Sequence, residues 1–101
     1  MTRYRTDLNS RTIQHGAEHI AGYFDKDMPN TVEVLCAEDA AGVFAHRAAR
    51  RRFGKRGYCH HVREDLRRED GRWFNYEAFI GVDAEGGGTS GHNIRFTVHV
   101  E

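Results

Sequence analysis

Three groups of residues in this chain have the types and spacing that could do chemistry. His15, Glu18 and His19 spell H-x-x-E-H, an order in which two imidazoles hold zinc and a carboxylate polarises its water. The three share one helical face, opposite the stripe formed by Ile13, Ala17, Ile20 and Phe24. That face is expected to be solvated rather than to line a cleft. A chain of 101 residues also leaves no room for the surrounding protease domain. Gly86, Gly88 and Gly91 satisfy G-x-G-x-x-G, but a dinucleotide fingerprint must leave a strand and open a helix. Here an alternating strand follows, with no Lys-Ser/Thr pair for a phosphate loop. Cys59, His60 and His61, with distant Cys36, form the third group. Successive strand residues point to opposite faces, so Cys59 and His61 could share a site while His60 could not. Structural histidines are the expectation. Nothing marks the Cys59 thiol as acidified, and two cysteines are too few for a disulfide framework. Both are expected to act as small buried or half-buried apolar groups. These readings leave no catalytic residue, no metal ligand and no cofactor site, and point away from an enzyme.

The charge distribution is more informative. Formal net charge is zero, yet Arg47, Arg50, Arg51, Arg52, Lys55 and Arg56 fall in one stretch without a single acid. The rest of the chain then holds nine cations against 15 acids. One surface should attract anions while much of the remainder repels them. Guanidinium groups suit phosphate oxygens or carboxylates bidentately, and lysine adds a point charge. The alternative is a solvated helix end favoured by the helix dipole.

The elements that would position these groups follow from periodicity. A single domain over 1–101 is expected at this length, with residues 1–9 a frayed end or a short edge strand. Ser10 to Phe24 reads as a helix, and Asp25 to Asn30, with the only proline, as a turn. Thr31 to Cys36 is β-rich. Glu38 to Phe53 reads as a helix with acids in its first turn, arginines in its last and Gly54 as its stop. Ala37, Ala41, Phe44, Ala45 and Ala48 share one of its faces, so it should lie close against a sheet. Tyr58, His60, Val62 and Leu66 form one period-2 row, and Glu69-Asp70-Gly71 a hairpin turn. Phe74, Tyr76, Ala78, Ile80 and Val82 form the strongest apolar row. Asp83 to Gly91 reads as a long flexible loop before a last strand with Ile94, Phe96, Val98 and Val100. The expected fold is α+β: an N-terminal helix, then β-α-β-β-β, with a largely antiparallel sheet packed on the alanine-rich helix.

If those rows face the helix, the opposite sheet face shows Cys59, His61, Arg63, Asp65, Trp73, Asn75, Glu77, Phe79, Asn93, Arg95, Thr97 and His99. Trp73 and Phe79 among charges make the mixture of a contact surface. Packing of the N-terminal helix over both rings is the competing arrangement.

The order of strand, alanine-rich helix and three-stranded meander resembles the small phage-encoded type I anti-CRISPR proteins. The likeness runs from Val32 to Val100. It is carried by Val32-Glu33-Val34, by Ala37-Glu38-Asp39-Ala40-Ala41 opening a helix that closes at Phe53-Gly54, by the aromatic strand Trp73 to Val82 and by Phe96-Thr97-Val98. The resemblance implies a non-catalytic inhibitor in the host cytoplasm that binds the CRISPR Cascade effector complex or its nuclease. Many such proteins imitate DNA through acidic surfaces, from which the basic segment and N-terminal helix depart. No site residue carries over from the family.

The expected function is therefore a cytoplasmic protein-binding module. Its partner would be met by Arg47, Arg50, Arg51, Lys55 and Arg56 at the helix end, by the adjoining Tyr58 strand, or by Trp73, Phe79 and Arg95 of the sheet face. The alternative is a small nucleic-acid-binding domain in which the cations grip phosphate and the aromatics stack on bases. No apolar run is long enough for a membrane span, and exposed strand edges leave homodimer formation open.

Overall fold

The computed structural model describes residues 1–6, 30–67 and 71–101, with the backbone alone for 65–67. The elements are β1 (Thr2–Thr6), β2 (Thr31–Val34), α1 (Ala37–Phe53), a 3-10 turn (Gly54–Arg56), β3 (Gly57–Arg67), β4 (Trp73–Asp83) and β5 (Thr89–Val100). The expected helix from Ser10 to Phe24 lies outside the described residues, as do its H-x-x-E-H residues, positions 25–29 of the Asp25–Asn30 turn, and Glu69 and Asp70.

Helix α1 forms where alanine, the strongest helix former, is densest. Glu38 and Asp39 occupy its first turn and Arg50, Arg51 and Arg52 its last, each complementing the helix dipole. Cys36 enters from extended backbone, and Gly54 ends the helix at φ 66° with its N–H donated to the Arg50 carbonyl. Ala37, Ala40, Ala41, Phe44, Ala45, Ala48 and Ala49 are buried, a face with one large side chain. Small residues let the helix axis approach the strands closely, and all five strands touch α1.

The sheet is antiparallel throughout, in the order β2-β1-β5-β4-β3. Phe74, Tyr76, Ala78 and Ile80 from β4 and Ile94, Phe96 and Val98 from β5 supply its inner face, as the two alternating rows led one to expect. The sheet curls around the helix so far that Val34 of one edge strand and Val62 of the other border the same depression, over Gly42, Val43 and His46. The α+β class and the β-α-β-β-β order from Thr31 onward match the sequence reading. No helix among the described residues is long and apolar enough to cross a membrane.

Four expectations need correction. Thr2–Thr6 is no edge strand: it lies between β2 and β5, Tyr4 opposite both Val32 and Val100. The period-2 row from Tyr58 to Leu66 is broken, because the pairing slips between Cys59 and His61 and again between Glu64 and Leu66. Each bulge inserts one unpaired residue and reverses the alternation beyond it. Val62 faces the helix as expected, but Cys59 joins it there and Tyr58 turns to the outer face, opposite Gly81. The loop after β4 is shorter than Asp83 to Gly91, since Asp83 pairs with Thr89 and only Ala84 to Gly88 form the turn. Gly87 and Gly88 hold φ of 91° and 87° there, conformations that favour glycine. Finally, Cys36 is exposed rather than buried.

Gly57 shows how tightly helix and sheet meet. A Cβ at this position would overlap the backbone carbonyl of Ala49 and the Phe53 side chain. Gly57→Ala is expected to cost about 1–2 kcal/mol, measured as a lower urea midpoint. A neutral result would show that the helix end can shift freely.

Candidate functional site

The outer sheet face, opposite α1, is organised in cross-strand rows. Trp73 pairs with His99, Asn75 with Thr97, Glu77 with Arg95, Phe79 with Asn93 and Gly81 with Gly91. On the β3 side, Arg63 opposes Glu77, His61 opposes Phe79 and Tyr58 opposes Gly81. Residues directly opposite stand about 5 Å apart, so each row acts as a unit. The Trp73 and His99 rings meet edge-on at 4.0 Å, Thr97 Oγ1 donates to Asn75 Oδ1 at 2.9 Å, and His61 stacks on Phe79 at 5.6 Å.

Glu77 is the electrostatic centre of this face. Its carboxylate is 3% exposed and accepts from Arg63 Nη2 at 2.5 Å and Arg95 Nε at 3.5 Å. Burial pushes its carboxyl up, but the charges and hydrogen bonds of Arg63, then Arg95, outweigh burial and hold it below the ordinary carboxylate range. Arg63 also lies over the Phe79 ring, 5.9 Å from its centre, a cation–π placement. The carboxylate thus pins two guanidinium groups while Arg63 stays largely solvent-facing, its side chain 61% exposed. Pinned cations lose less freedom on meeting an anion than mobile ones.

The basic segment occupies the helix side and the end of the sheet. Arg50, Arg51 and Arg52 are exposed in the last turn of α1, and Lys55 and Arg56 are exposed in the 3-10 turn. Arg52 sits over the Phe53 ring at 5.4 Å. Arg56 pairs with Glu85 of the β4–β5 turn at 2.5 Å. Arg47 is half-buried and donates from Nη1 to the Thr31 carbonyl at 2.9 Å, so it ties the helix to the edge strand β2. Because α1 covers the inner face, its arginines and the outer-face residues lie on opposite sides of the sheet. The candidate docking regions are therefore on separate surfaces, with Lys55, Arg56 and Tyr58 at the end of the sheet between them.

Trp73, Phe79 and Arg95 stand on the outer face as the alternation requires, with Trp73 40% exposed and Phe79 half-buried. Tyr58, placed by sequence in the row facing the helix, joins them because of the bulge at His60. Arg63 and Glu77 were recognisable as members of this face; their mutual pairing was not, since it depends on the register of β3 against β4. Cys59 and His61 do not share a site, because Cys59 faces the core. Burial raises its thiol pKa, only partly offset by a backbone hydrogen bond at His61, so it is a poor nucleophile. Among the described residues no three His, Cys, Asp or Glu side chains are grouped to hold a metal ion. Compared with known proteins, the chain matches no family model, no curated protein and no solved structure.

Proposed function

We propose that this chain is a non-catalytic protein-binding module that inhibits its partner, and that the partner presents an acidic surface to the basic end of the domain. The observation that carries the reading is the cluster of exposed cations Arg50, Arg51, Arg52 and Lys55 around the exit of α1, in a chain whose remaining residues are net acidic. Attraction of that end to carboxylates, with repulsion elsewhere, orients a docking event and speeds it. The aromatic and arginine side chains of the outer face, Trp73 and Arg63 above all, are of the types that dominate binding energy in protein contacts. Resemblance to type I anti-CRISPR proteins makes the Cascade effector complex or its nuclease the partner to test first, in a host cytoplasm.

The test is co-purification of the tagged chain with a type I effector complex and, separately, with its nuclease. Arg50→Glu/Arg52→Glu/Lys55→Glu is expected to weaken the complex at least tenfold, mainly through slower association. The alternative, a nucleic-acid-binding domain, is favoured by half-buried Phe79 lying beside the Arg63 guanidinium. Random-sequence oligonucleotide binding that falls steeply with salt and disappears in the same variant would replace the protein-binding reading. Failure to bind either effector component or oligonucleotide would sink both.

A further inference from the structure

At the β4–β5 turn end of the outer face lies a depression of about 490 Å³, within the size range of small-molecule sites. Its floor includes Gly81 and Gly91, which lie directly opposite one another in the ladder. Glycine within a strand sacrifices stability and often marks close approach by a ligand or another chain. The two glycines are used differently. The Tyr58 ring occupies the place where a side chain on Gly81 would stand, whereas a Cβ on Gly91 would meet nothing within 4 Å. The vacancy is thus over Gly91. It is flanked in the next row by Phe79, already stacked with His61, and by half-buried Asn93 opposite Phe79, and all three line the depression.

From this arrangement we infer that the depression is a binding site for a planar nitrogen heterocycle of the nucleobase type. The uncovered part of the floor, over Gly91, admits the edge of a flat ring beside Tyr58. The Phe79–His61 pair offers it an aromatic wall, and such stacking accepts any base. Asn93 supplies a donor and an acceptor from one amide, the complement to an adenine edge. The site is independent of the protein-binding surface around Arg50 and Lys55, and its failure would leave that reading untouched.

Adenosine monophosphate, ribose 5-phosphate and a short single-stranded oligoadenylate are to be titrated into the full chain by calorimetry. Saturable binding of the nucleotide, with ribose 5-phosphate at least tenfold weaker, is the expected result. Gly91→Val should abolish it while leaving the far-ultraviolet circular dichroism unchanged, because valine suits a strand and has space there. Phe79→Ala should weaken it about tenfold or more. Tighter binding of the oligoadenylate than of the mononucleotide assigns the base to a nucleic-acid strand; equal binding assigns it to free nucleotide, and either supports the site. No saturation by the nucleotide, equal binding of ribose 5-phosphate, or unchanged affinity in Gly91→Val would each overturn the inference.

Discussion

Phe44→Ala is expected to destabilise the domain by about 3–5 kcal/mol, a large share of the roughly 5–15 kcal/mol that holds a domain of this size together. Phe44 is fully buried, and its companions on the helix face are alanines. None of those helix residues can extend into the space a phenyl ring would vacate, so the cavity should persist and the loss should fall toward the upper end. Urea titration would show it as a lower midpoint with little change in slope. Phe44→Leu, which refills most of the volume, should cost about 1.5 kcal/mol or less. A loss below about 1 kcal/mol in Phe44→Ala would mean that the sheet closes onto the helix to fill the gap, contrary to the close packing proposed.

The second large effect concerns Glu77. Glu77→Ala removes the carboxylate between Arg63 and Arg95 and leaves two like charges facing each other across the strand. A fully buried ion pair broken in this way costs about 3–5 kcal/mol. Arg63 and Arg95 are 61% and 37% exposed, so water screens part of the loss, and about 2–3 kcal/mol is expected. The same group makes stability pH-dependent. Its folded-state pKa lies below the ordinary value, so its contribution is fully present above that value, near 4.3. It is lost as pH falls through the depressed folded-state pKa. Thermal melts of wild type and Glu77→Gln should therefore differ most at neutral pH and converge as the solution is acidified through the depressed folded-state pKa. A gap that is constant across that range would remove the ion pairs from the account.

Elements built on one unbroken period were readable in the residues themselves. The alanine face of α1 recurs at helical spacing, and the rows Phe74 to Val82 and Ile94 to Val100 keep strict alternation, so their inward faces could be assigned without coordinates. That same alternation placed Trp73, Phe79 and Arg95 on the outer face. What stayed hidden depended on pairing between distant segments. A bulge leaves no mark in composition, and the extra residue at His60 was enough to exchange Tyr58 and Cys59 between faces. β1 has five residues, too few for a period, and gains its interior place by pairing with β2 and β5. Arg47 looked like its neighbours in a basic run, but only the position of Thr31 distinguishes a tether from a docking group. Gly91 read as part of a loop because the turn from Ala84 to Gly88, and hence the Gly81–Gly91 opposition, follows from hairpin register.

The two bulges in β3 also bear on self-association. No described strand lies beyond β3, and its 11 residues would otherwise offer a long template for a neighbouring molecule. Interruptions at His60 and Asp65 throw the outward amides and carbonyls out of step, so a second copy laid alongside would lose its ladder after a few residues. The irregularity that brings Tyr58 to the outer face thereby also discourages these molecules from zipping together into fibres.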